Sequence, residues 1–184
     1  MAAPDEAIVY RSGGTLWLTP TSITPPGYGS ATQLGVTHNV KLSPVVRQFN
    51  VTSEEHGGEV VEGVNMGRDW VLTTLIRGYD AASLPAAGWF NTATGSSSGK
   101  KVLSEPGGLA IGSLLTGKAV KLLFAPFDTA HPGFLAYRAL PNLQSLTKIS
   151  YSSTKDWSYL ATFRLVRDAS SRALQIGVVA DLSI

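Results

Sequence analysis

A chain of 184 residues is sized for one compact domain with its own core. Apolar residues make up 43% and charged residues 15%, which argues against intrinsic disorder, while 19 Gly and 10 Pro favour many turns between short strands and so a mainly β protein. The 15 Lys plus Arg barely exceed the 13 Asp plus Glu, so nothing marks a nucleic-acid reader, and the absence of Cys excludes disulfides, thiolate metal sites and a Cys nucleophile.

The N-terminal Met1 to Glu6 carries acids where a secretory signal carries bases, and no apolar stretch approaches the roughly 18 residues of a spanning helix, so neither export by that signal nor a membrane partner is expected. Short strands are predicted at Ala7–Tyr10 and Thr15–Leu18. In Val36–Leu42 strict alternation places Val36, His38, Val40 and Leu42 on one face and Thr37, Asn39 and Lys41 on the other. Ser43-Pro44 reads as a break, with Val45–Val51 returning as the second strand of a hairpin that aligns Val45, Phe49 and Val51. A long polar loop is expected over about 52–65, and Asp69–Arg77 reads as a strand covered on both sides, with Trp70, Leu72 and Ile76 opposing Val71 and Leu75.

One short helix is predicted after Tyr79, capped by Asp80. A second long loop spans about 91–108. Strands follow at Ala119–Ala125 and Phe134–Ala139. The last two are Trp157–Leu165, with Tyr159, Ala161, Phe163 and Leu165 aligned, and Leu174–Ala180, with a turn at Asp168–Ser171 between them. Eight to ten strands result, within a single domain over 1–184 and with no fixed-period repeat.

Chemical motifs fail on context. Gly112 to Lys118 has phosphate-loop spacing, but Ala119 stands where a magnesium-binding hydroxyl belongs and a strand follows instead of a helix. Gly95-Ser96-Ser97-Ser98-Gly99 matches a nucleophile elbow without its strand, and Asp128 and His131 are only three residues apart. His38, His56 and His131 have no metal-ligand spacing, although Glu54, Glu55 and Glu59 surround His56. His38 is expected inside, His131-Pro132 at the start of a strand, and Asn50-Val51-Thr52 is a sequon in form only. Trp70, Trp157, Tyr159 and Phe163 sit at strand spacing and are assigned to core or interface rather than to base stacking. No catalytic residue, metal or cofactor is expected.

The order of these parts resembles the tail tube proteins of tailed bacteriophages. The resemblance rests on the paired segments Val36 to Val51, the loop Glu54-Glu55-His56-Gly57-Gly58, and Arg68-Asp69-Trp70-Val71-Leu72-Thr73-Thr74-Leu75-Ile76-Arg77-Gly78 leading into the Asp80 helix. His131-Pro132-Gly133-Phe134 and Arg138-Ala139-Leu140-Pro141 add to it. It implies a β-sandwich or half-barrel with one short flanking α-helix, forming homo-hexameric rings. These stack into a hollow tail tube in the virion, assembled in the host cytoplasm and conducting DNA as non-specific cargo. Tape measure, terminator and baseplate proteins would be further partners.

Under that resemblance Glu54, Glu55, His56, Gly57, Gly58 and Glu59 form an inter-ring loop, and Thr37, Asn39, Gln48 and Asn50 face the lumen. Lys41 on the Thr37 face departs from an uncharged bore, which places it at the rim or removes that face from the lumen. The alternatives are a tail terminator or distal tail adaptor ring that does not polymerise, or a monomeric β-sandwich binding module with Trp89 or Trp157 exposed.

Overall fold

The computed structural model describes residues 13–34, 36–77, 91–93, 102–104, 114–141, 149–150 and 158–184. In chain order the strands are β1 (Gly14–Leu18), β2 (Thr32–Gln33), β3 (Val36–Ser53), β4 (Glu59–Arg77), β5 (Asn91–Ala93), β6 (Val102–Ser104), β7 (Val120–Pro126), β8 (Pro132–Pro141), β9 (Ile149–Ser150), β10 (Ser158–Leu165) and β11 (Leu174–Val178). Nine form one antiparallel sheet along the path β2-β1-β7-β8-β10-β4-β3, with β9 beside β10 and β11 beside β8; β5 and β6 pair separately. Among the described residues there is no α-helix and no helix able to cross a membrane. The expected strand at 7–10, the helix after Tyr79, the Ser97 pattern, Trp89 and Trp157 lie outside the described residues.

The sheet curls so that β1 packs against β3, near its far end, and its inner face becomes the core. Leu16, Leu34, Leu72, Ile76, Leu122, Ala136, Ala161 and Phe163 are wholly buried there, with Val40, Leu42 and Trp70 packed around them. The inward residues of β10 are Tyr159, Ala161, Phe163 and Leu165, as alternation predicts; Trp157, which continues that set, lies outside the described residues. β7 and β8 are covered on both faces. Their outer side chains Leu123, Ala125, Leu135 and Tyr137 lie under Val179 and Leu182 of the C-terminal segment and beside Trp17, Ile23 and Tyr28. The Tyr137 hydroxyl donates to the Ser183 carbonyl at 2.7 Å, which ties that segment down.

β10 and β11 do not form a hairpin. Phe163 to Leu165 pair with Pro141 to Ala139, and Leu174 to Val178 pair with Ala136 to Pro132, so both run along the same edge of β8 in the same direction. The residues between them make a closed excursion around Asp168. Its carboxylate accepts the backbone N–H groups of Ser170 and Arg172 and pairs with the Arg172 guanidinium at 2.9 Å. The guanidinium in turn lies 4.1 Å above the Tyr137 ring.

Three sequence expectations are corrected. Ser43-Pro44 does not end a strand: β3 runs unbroken for 18 residues, and its partner is β4 rather than its own second half. Because β3 closes the sheet path, a proline on it need not supply a hydrogen bond to a further strand. The 52–65 loop shrinks to the tip at 54–58, since β4 begins at Glu59. The 91–108 loop contains the β5–β6 pairing. Asp69–Arg77 does form a strand, with Leu72, Thr74 and Ile76 buried on one face and Val71 and Leu75 half-buried on the other.

Candidate assembly interface

β4 pairs with β10 only from Trp70 to Arg77, whereas its pairing with β3 continues through Asp69 and on to Glu59. The last part of this hairpin therefore leaves the sheet as a two-stranded arm. About ten residue steps at roughly 3.4 Å each carry its tip on the order of 30 Å from the sheet. Along it Val46, Phe49, Val60, Val61, Val64 and Met66 are exposed, Phe49 by 60% and Met66 by 64%.

The tip is a 3-10 turn, Glu54–His56, followed by Gly57 and Gly58 in left-handed conformation at φ 69° and 85°. The Gly58 N–H donates to the Ser53 carbonyl at 2.9 Å. Nothing lies within 4 Å of where their Cβ atoms would stand, so these two glycines serve the backbone angle and not a close contact.

Two irregularities shape the arm. Arg47 opposes Gly67 but Gln48 opposes Asn65, leaving Met66 as an extra residue. Val51 opposes Glu62 but Thr52 opposes Val60, leaving Val61 extra. At the first, Asn65 Oδ1 accepts the Gly67 N–H at 2.9 Å and Gly67 takes φ 122°. Since opposing residues share a face, Val45, Phe49, Val51 and Val64 lie together on one side, with Val46, Gln48, Asn50 and Asn65 on the other. Gln48 Nε2 donates to Asn50 Oδ1 at 3.1 Å across that second face.

The proposed lumen set is not kept together. A further bulge between His38 and Lys41, with Asn39 at φ 51°, inverts the alternation of β3. Thr37 opposes Ile76 and its Oγ1 is buried on the core side, whereas Lys41 opposes Thr73 on the outer side. His38, expected inside, is exposed, and its freed carbonyl accepts the hydroxyl of buried Thr74 at 3.3 Å. Gln48 and Asn50 do share a face, and Asn39 is the bulge residue apart from both.

Charge is polarised along the arm. From residue 48 to 67 there are four Glu (54, 55, 59 and 62) and no Lys or Arg. At the base the sign reverses: Asp69 is clamped by Arg47 of β3 at 2.8 Å and by Arg164 of β10 at 2.7 Å, while Arg68 lies on the opposite face. No group of three acidic or histidine side chains suited to a metal occurs among the described residues. Asp128 and His131, 3.6 Å apart, belong to the turn before β8, where Asp128 also accepts the Ala130 N–H. Of the phosphate-loop candidate Gly112 to Lys118, the first two residues lie outside the described ones, and the rest is a 3-10 turn at Leu115–Lys118 that leads into β7.

Sequence reading located the acidic tip but missed the apolar residues beside it. Val60, Val61 and Val64 within a supposedly polar loop, with Met66 just after it, were the signal.

No protein-family model and no curated protein matches the chain. Among solved structures it is similar to a chain from the tail of an empty GTA particle refined with helical C6 symmetry. The identity is 14% and the TM-score 0.47, over 88% of this chain and 93% of that one. It is also similar to the anti-feeding prophage cap, a tube-terminating cap, at 11% identity and TM-score 0.45, over 97% and 98% of the two chains.

Proposed function

We propose that this chain is a structural, non-enzymatic subunit of a phage-like tail. Copies join into hexameric rings that stack into a hollow tube for DNA, and the β3–β4 arm docks on a neighbouring copy. The observation that carries this reading is the arm itself. An isolated two-stranded ribbon is marginal in water, and a contiguous apolar surface on one marks a site that another chain covers. Burying a Phe or Val side chain contributes about 1.5–3 kcal/mol, so Phe49, Val61 and Val64 alone offer a large part of an assembly interface. The arm strands also have free edges, which ring or stack formation would close.

In the assembled tube the face of Gln48, Asn50 and Asn65, which carries no Lys or Arg beyond Arg68 at its base, is the bore candidate, since a conduit for DNA works best without cations that hold phosphates. Thr37 takes no part in it, being turned into the core.

Electron microscopy and light scattering of the purified chain test the reading. Tubes support it directly. Rings that never stack would place the chain at a tail end, as terminator or adaptor, and a monomer at high concentration would overturn assembly altogether. Replacing residues 46–68 with a short turn should leave folded subunits that no longer stack.

A further inference from the structure

Where β10 ends and the chain makes its excursion around Asp168, the sheet opens between β11 and the base of the arm. An open cleft of about 490 Å³ lies there, lined by Arg68 and Trp70 of β4, Arg167, Ser171 and Ala173 of the excursion, and Leu174 and Ile176 of β11. Trp70 and Leu174 also border the main core, so the cleft is its open end, and Ile176 is left 60% exposed. The outer face of β11 is sealed by the C-terminal segment through Gln175 and Ser183, so the inner side is the one left to a partner. Arg68 and Arg167 are exposed and form no ion pair among the described residues, unlike Arg47, Arg164 and Arg172.

We infer that this cleft receives the arm tip of a second copy of the chain. The tip matches it in chemistry: Glu54, Glu55, Glu59 and Glu62 flank the exposed Val60 and Val61, and the cleft sets two free guanidinium groups around an apolar floor of Trp70, Leu174 and Ile176. The tip cannot reach its own cleft, because they lie at opposite ends of one arm. Each copy therefore gives a tip and receives one, a head-to-tail contact that repeats along a stack. This inference rests on the assembly reading above and assigns the receiving surface that reading leaves open.

The test is a charge swap with two variants, one carrying Glu54→Lys, Glu55→Lys and Glu59→Lys and the other Arg68→Glu and Arg167→Glu. All five positions are exposed, and unchanged thermal unfolding checks that each variant folds. Each variant alone should need about tenfold or more protein to assemble, because like charges then meet in a closed contact. Mixing the two should restore assembly, since the basic tip of one meets the acidic cleft of the other while the remaining pair is native. A single chain carrying all five changes should assemble by itself.

Variants that assemble like the native chain, or a mixture that fails where each variant fails, would overturn the contact while leaving a tube-forming native chain explained. A native chain that never assembles overturns the assembly reading and the contact with it.

Discussion

Phe163 and Phe49 lie on strands of the same sheet, yet the first is wholly buried and the second is 60% exposed. The difference follows from neighbours. Phe163 sits on β10 between β4 and β8, under a curled sheet that supplies contacts from β1, β7 and β8. Phe49 opposes only Val64 and has no layer above it. The sheet region holds itself together; the arm is built from the same kind of residues but has its packing partner missing, as an element made for another chain does.

The sharpest way to break this contrast is to truncate both rings. Phe163→Ala should cost about 3–5 kcal/mol of folding stability in chemical denaturation, from lost burial and the cavity left behind. Phe49→Ala should change monomer stability by no more than about 0.5 kcal/mol and should act on assembly instead. Equal losses of stability would mean that the arm packs on its own subunit.

Gly133 tests the sheet at a smaller scale. A Cβ there would run into the Phe124 carbonyl oxygen of β7 and approach Val179 to 2.8 Å, so Gly133→Ala should destabilise by about 1–3 kcal/mol through overpacking. At Gly57 a Cβ meets open space, and only the backbone angle resists substitution, so Gly57→Asn should be close to neutral in the same denaturation series.

The junction between the regions is weaker. Asp69→Asn removes both arginine partners at the arm's base, but the pairs are partly exposed, so about 0.5–1 kcal/mol is expected, shrinking in high salt. If the clamp orients the arm, Asp69→Asn should speed hydrogen exchange in the arm relative to the native chain while leaving the sheet unchanged.

The smallest effect is local to the β10–β11 excursion. Burial pushes the Asp168 carboxyl upward, but the backbone N–H and guanidinium of Arg172, with the Ser170 N–H, more than offset it and hold it below the ordinary carboxylate value. A lowered folded value means its contribution is present above the unfolded carboxylate range and is lost as pH falls through the folded value. Protection of the amides of residues 169–172, measured against their intrinsic exchange rates, should therefore fall in acid and lose this pH dependence in Asp168→Asn.

What was legible in the sequence was whatever followed strict period-2 alternation. The inward sets of β1 and β10 follow it, because each keeps one face on a continuous core, while β7 and β8 read as apolar runs because both of their faces are covered. The arm was less legible for a definite reason: Val61 and Met66 are extra residues at bulges, and each shifts the alternation by one, so the start of β4, up to about residue 65, read as a loop. Asn39 did the same on β3 and sent Thr37 inward and His38 outward, against the pattern.

The sequence by itself determined a mainly β chain, most of its strands, the acidic glycine turn at 54–58 and the absence of any recognisable catalytic pattern, because these depend on local periodicity and backbone preference. Only the tertiary structure decided that Pro44 sits within one long strand, that the arm stands clear of the sheet, and that Arg68 and Arg167 meet at one cleft. Those depend on which strands lie side by side, and residues 68 and 167 are neighbours only because β10 stops where the arm begins.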